Sequence, residues 1–91
     1  MSKIRICGVR TEMILRALGG EVRRRRVQRN LSQEALAFES GIHPNVVGRL
    51  ERGSYNPTVL LLVAIAVTLE VTLAELFVGA GRRECGDSRV R

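Results

Sequence analysis

The chain has little of what most catalytic and metal sites require. Its 91 residues include one histidine, two cysteines and no tryptophan. Cys7 and Cys85 lie near opposite ends without a CxxC pair, so too few metal ligands are present and a structural disulfide is not expected. No serine or cysteine has a visible base beside it, and His43 is the only histidine. We therefore expect neither catalysis nor a bound metal or cofactor.

Aromatic side chains and long hydrophobic runs are also scarce. The three aromatic residues, Phe38, Tyr55 and Phe77, are too few and too scattered for an RNA-stacking platform. The longest nearly unbroken apolar run, Val59 to Leu69, covers only about half of a membrane span. The first ten residues lack the apolar core of a signal peptide, and no glycine-rich phosphate loop precedes a helix. These absences predict a cytoplasmic protein without a membrane partner or a small-molecule ligand.

Positive charge is what the chain has in excess. Fifteen Lys and Arg against nine Asp and Glu give a formal net charge of +6, and most of the excess lies in residues 1–30, where Arg23 to Arg26 form an unbroken run. This balance favours a polyanionic partner, either nucleic acid or an anionic membrane surface. The alternative for the arginine run by itself is a solvated helix face.

Helix caps and apolar spacing predict an all-α fold, a compact bundle of about five short helices in one domain. The expected helices cover about 11–29, 33–40, 44–52 and 58–69, and a fifth begins after Thr72. Gly19 and Gly20 weaken the first helix or break it in two. Ser32 and Thr72 are good N-caps, and Gly41 ends the second helix. We expect an N-terminal tail over 1–10, a domain over 11–78 and a flexible C-terminal tail over 79–91.

Several motifs in these helices resemble one family. "LSQEALA", "SGI", "RLERG", "NPT" and "LEVTLAELF" occur in this order between Leu18 and Phe77, and together they resemble the lambda-repressor-like helix-turn-helix regulators of the Cro and XRE type. The resemblance implies a transcriptional regulator that binds double-stranded DNA. Its second helix, 33–40, would brace a recognition helix, 44–52, in the major groove. "SGIHPN" and the single-domain size resemble the controller proteins of restriction and modification systems, although phage repressors and antitoxin regulators share the architecture.

Helical spacing places four residues of the recognition helix on its exposed face as candidate base contacts: Pro44, Asn45, Gly48 and Arg49. The guanidinium of Arg49 suits guanine and the amide of Asn45 suits adenine. A phosphate contact is an equal alternative for Arg49. Gly48 either allows close approach of the backbone or marks a weakened reading helix.

The resemblance also implies phosphate contacts around the recognition helix, from Arg23, Gln33, His43, Arg52, Ser54, Tyr55 and Asn56. It further implies that Arg26 and Glu51 form an ion pair between the first helix and the recognition helix. The alternative is two unrelated surface charges.

The fourth helix is apolar nearly all round. Leu60, Leu61, Ala64 and Val67 occupy positions that relatives often fill with polar residues, which predicts a partner surface, most simply that of a homodimer. Two recognition helices about 34 Å apart would then read a palindromic operator. Tails folded over this surface are one alternative. Another function remains open: an antitoxin-like or coactivator-like interaction module that binds a protein through 58–69 and binds DNA only non-specifically.

Overall fold

The computed structural model describes residues 11–82, which form five α-helices and no strand. The helices are α1 (Thr11–Gln28), α2 (Gln33–Ser40), α3 (Pro44–Glu51), α4 (Val59–Leu69) and α5 (Leu73–Gly81). The expected all-α bundle is confirmed. α5 extends beyond the expected domain end at residue 78, because Gly79 and Ala80 are buried against the rest of the bundle. The expected tail over 1–10, most of the tail over 79–91 and both cysteines lie outside the described residues.

Side-chain caps set the beginnings of the helices. The Ser32 hydroxyl accepts a hydrogen bond from the Ala35 amide at 3.0 Å, and α2 ends at Gly41, whose φ is +73°. Thr72 and Glu75 form a reciprocal capping box at the start of α5. The Thr72 amide donates to the Glu75 carboxylate at 2.8 Å, which lowers the pKa of that carboxyl below its usual range. These local interactions explain why the helix starts are readable in the sequence.

α1 is continuous, so Gly19 and Gly20 do not break it in two, which was one of the two effects expected of them. Gly19 is buried where α1 crosses α3. A Cβ atom at this position would strike the carbonyl oxygen of Leu50 and would lie 2.9 Å from that of Glu51. The missing side chain therefore permits a close helix crossing that offsets the low helix propensity of glycine.

The core lies between α1 and the four shorter helices. Its largest fully buried apolar side chains come from all five helices: Val22, Leu36, Val47, Leu50, Ile65 and Leu76. α1 packs against α3 and α5, while α2 packs against α3 and α4. Within residues 11–82, no single helix is long and apolar enough to cross a membrane; α4 and α5 meet the length and composition criteria only as a pair bent by 96°.

Candidate nucleic-acid interface

A buried ion pair fixes α3 against α1. Arg26 Nε donates to Glu51 Oε2 at 2.7 Å, and Arg26 Nη2 donates to Glu51 Oε1 at 3.1 Å. Arg26 Nη1 also donates to the carbonyl oxygen of Leu31 at 2.7 Å, and Gln33 Nε2 donates to Glu51 Oε1 at 2.9 Å. The expected pair of Arg26 and Glu51 therefore exists and joins α1, the α1–α2 turn, α2 and α3. This network holds the angle at which α3 is presented.

The outward face of α3 is open and polar. Pro44, Asn45 and Arg49 are exposed, as expected from helical spacing, and His43 Nδ1 caps the helix by accepting from the Asn45 amide at 3.1 Å. Gly48 differs from the expectation because it is buried. A shallow pocket of about 330 Å³ lies between α3 and the start of α2, and it is lined by Gln33, Glu34, Pro44, Asn45, Gly48, Arg49 and Arg52.

The loop after α3 is fastened to Arg49. The backbone amide and hydroxyl of Ser54 both donate to the Arg49 carbonyl oxygen, at 3.0 and 3.2 Å. The Arg49 guanidinium lies over the Tyr55 ring, with its central carbon 5.5 Å from the ring centroid, which is a cation–π geometry. Tyr55 is half-buried, whereas Ser54 and Asn56 are exposed. The three loop residues therefore lie beside the same open face as Arg49.

A buried carboxylate neutralises part of the arginine run. Glu21 is 1% exposed and accepts hydrogen bonds from Arg24 Nη2 at 2.6 Å and from Arg25 Nε at 2.7 Å. These contacts raise the pKa of the Arg24 guanidinium, chiefly through its hydrogen bond to Glu21. Arg23 is exposed and has no ion-pair partner within residues 11–82. Glu21 was not among the expected site residues, although its spacing of three and four residues from two arginines was a usable signal.

The apolar surface of α4 differs from the expected set in two positions. Leu60 and Val67 are 80% and 69% exposed, but Leu61 and Ala64 are half-buried, and Leu61 packs on the main core. Val59 and Val63 are exposed instead. We name Val59, Leu60, Val63 and Val67 the α4 stripe. Two of the four expected residues are therefore less exposed than expected, because the fourth helix has a broad inward face, which spacing within a wholly apolar sequence does not define.

Comparison with known proteins identifies the family. A helix-turn-helix family model matches residues 22–76, more than half of the chain and all of the network around Arg26 and Glu51. The chain belongs to the Cro/XRE-type helix-turn-helix family. This family consists of DNA-binding regulators rather than enzymes.

Individual relatives of this helix-turn-helix protein agree with that assignment. The chain is 38% identical over 64 residues to control protein C.SmaI of Serratia marcescens, which covers 70% of this chain and 76% of that protein. It is 39% identical over 61 residues to the transcriptional regulator SlrR of Bacillus subtilis, which covers 66% of this chain but only 40% of SlrR.

A solved crystal structure has a similar fold. The crystal structure of the restriction-modification controller protein C.AhdI from Aeromonas hydrophila superposes on this helix-turn-helix protein with a TM-score of 0.68 and 38% sequence identity. The match covers 69% of this chain and 96% of C.AhdI.

Proposed function

We propose that this protein regulates transcription by binding a palindromic duplex operator as a homodimer, with α3 in the major groove. The observation that carries the proposal is the open face around α3. Asn45, Arg49 and Arg52 are exposed on it and make no ion pair within residues 11–82, while a buried network fixes the helix behind them. Charged and amide groups that have no hydrogen-bond or ion-pair partner in residues 11–82, and that lie on a rigid helix, suit base edges and phosphates.

Each exposed group has a defined role in this proposal. Asn45 reads adenine and Arg49 reads guanine, because amide and guanidinium groups match the major-groove edges of those bases. Stacking on Tyr55 restricts the rotation of the Arg49 guanidinium and so favours a bidentate contact. His43, Ser54 and Asn56 flank this face and bind phosphate, and Arg23 adds attraction at longer range.

The α4 stripe forms the homodimer interface in this proposal. Its apolar side chains point to solvent within residues 11–82, and exposed apolar area of this kind favours association. A symmetric pair places the same stripe on both copies, which requires only self-complementarity. The proposal requires this pairing to set the two copies of α3 about 34 Å apart, which is the spacing of half-sites in a palindrome.

The first prediction tests base reading by Arg49. In a selection of duplexes from a random library, the full-length protein should recover a palindrome. Arg49→Ala should lose a guanine preference at one position of each half-site, worth about 1 to 3 kcal/mol. Arg82→Ala is the matched control, since it removes an exposed arginine at the end of α5. If the full-length protein binds every sequence equally and only salt changes its affinity, the interaction-module alternative is favoured over operator reading.

The second prediction tests the homodimer. Leu60→Glu places a charge in the α4 stripe without entering the core, because Leu60 is already 80% exposed. At micromolar concentration we expect sedimentation to give twice the chain mass for the unchanged protein and the single chain mass for the variant. Phe38→Glu, at another exposed apolar residue, is the control and should stay dimeric. A Leu60→Glu variant that remains dimeric would contradict this interface.

A second candidate function is favoured by the same surface. The α4 stripe could bind a different protein, as in an antitoxin-like or coactivator-like module. In that case the unchanged protein sediments as a monomer by itself, and the duplex selection recovers no palindrome. The two measurements above therefore separate the candidates.

A further inference from the structure

The surface of the recognition helix has a recess at Gly48, where no side chain projects from the helix. Gly48 lies on the side of α3 that borders the pocket between α2 and α3, yet it is buried. The side chains of Gln33 and Arg52 both lie over it: Gln33 Oε1 is 3.6 Å, and Arg52 Nη1 3.3 Å, from the point that a Cβ atom of residue 48 would occupy. The missing side chain thus brings an acceptor and a donor together above the helix.

Both groups are available for a ligand. Among residues 11–82, no hydrogen bond uses Gln33 Oε1, and Arg52 has no side-chain hydrogen bond or ion pair. Gln33 is nevertheless held in place, because its Nε2 donates to Glu51, which is itself bound by Arg26. The acceptor is therefore fixed by the buried network, and the donor extends from the C-cap of α3.

We propose that Gly48 is a specificity-determining residue, and that Gln33 Oε1 and the Arg52 guanidinium above it read the edge of one adenine. This inference rests on the proposed function. Adenine offers a donor, N6, beside an acceptor, N7, in the major groove, whereas guanine offers two acceptors, cytosine one donor, and thymine an acceptor and a methyl group. An acceptor beside a donor on the protein complements adenine. Gln33 and Arg52, assigned to phosphate by resemblance, become base-reading residues.

The open floor of this recess depends on the missing side chain of Gly48 and not on an unusual backbone conformation. Residue 48 is helical, so an alanine would favour the helix. Its Cβ, however, would occupy the floor of the recess, where it would be in ordinary contact with Gln33 Oε1 and would push the flexible end of Arg52 aside by a few tenths of an ångström. The substitution therefore changes the recess while the fold is retained.

The test is a duplex selection with Gly48→Ala, compared with the unchanged protein. We expect a palindrome in both cases, with a roughly tenfold loss of preference for adenine at one position of each half-site in the variant. The thermal midpoint should not fall. Gly81→Ala is the matched control, since it also adds one methyl group to a helix and its Cβ meets nothing within 4 Å. It should recover the unchanged motif.

Arg52→Ala separates base reading from phosphate binding. A base contact predicts loss of preference at the same adenine position, whereas a phosphate contact predicts equal weakening on all sequences and a salt slope reduced by about one. Recovery of the same motif by Gly48→Ala, or uniform weakening by Arg52→Ala, would overturn the inference and leave operator binding intact. Failure of the unchanged protein to select any motif would overturn the proposed function as well.

Discussion

Gly19→Ala is expected to lower the free energy of unfolding by about 3 kcal/mol or more, although alanine is the better helix former. The added Cβ would meet the Leu50 carbonyl oxygen and lie 2.9 Å from that of Glu51. Both obstacles are backbone atoms of a neighbouring helix, so relief requires α1 and α3 to separate. Urea denaturation followed by circular dichroism measures the loss.

Gly81→Ala is the control for Gly19→Ala, because it makes the same substitution at a helical glycine that has free space around it. Gly81 lies in α5 with nothing within 4 Å of its Cβ position, so Gly81→Ala should change stability by about 0.5 kcal/mol or less. Because a shift of α3 also displaces Arg49 and Asn45, Gly19→Ala should weaken specific DNA binding in the proposed function. Unchanged stability of Gly19→Ala would show that the crossing of α1 and α3 is looser than described.

Glu51→Ala is expected to cost about 3 to 5 kcal/mol of stability. Removing the carboxylate leaves the Arg26 guanidinium buried and without its ion-pair partner, and it also removes the acceptor of Gln33 Nε2. The cost arises mainly from the uncompensated charge rather than from the net value of the pair. Urea unfolding of the variant, with the slope checked for a two-state transition, gives the free energy.

A double-mutant cycle separates those two contributions. Arg26→Met combined with Glu51→Met removes both charges and should lose less stability than Glu51→Met alone, and the cycle closed with Arg26→Met should give a coupling energy of roughly 1 to 3 kcal/mol. The exposed pair of Arg29 and Glu70 is the control, and Glu70→Ala should cost about 1 kcal/mol or less. If Glu51→Ala were as mild as Glu70→Ala, Arg26 would have to reach water in the folded protein.

Much of the fold was predictable because its signals are local. Ser32, Gly41 and Thr72 mark helix ends through contacts with residues a few positions away, and Pro44 fits the first position of α3. The pair of Arg26 and Glu51 is different, because the two residues lie 25 positions apart and were expected only from the resemblance to a known family. A helix cap can be predicted from neighbouring residues, whereas a contact between such distant residues cannot.

The features that were missed depend on packing between helices. Helix propensity left open whether Gly19 weakens the first helix or breaks it, and close contact with α3 decided that α1 is continuous. Gly48 was expected to be exposed by its position on α3, but Gln33 and Arg52 cover it. In α4, where nearly every residue is apolar, only packing against the other helices distinguishes the inner residues from the α4 stripe.

The sequence by itself determined the helical class, the helix starts and the basic character of the chain, because capping, periodicity and charge act over short distances or by composition. The tertiary structure decided which charges are neutralised and which polar groups are left without partners. Glu21 binds Arg24 and Arg25, while Arg49 and Arg52 stay beside the open face of α3. Partners and burial depend on side chains that meet across helices, so only the packed bundle establishes them.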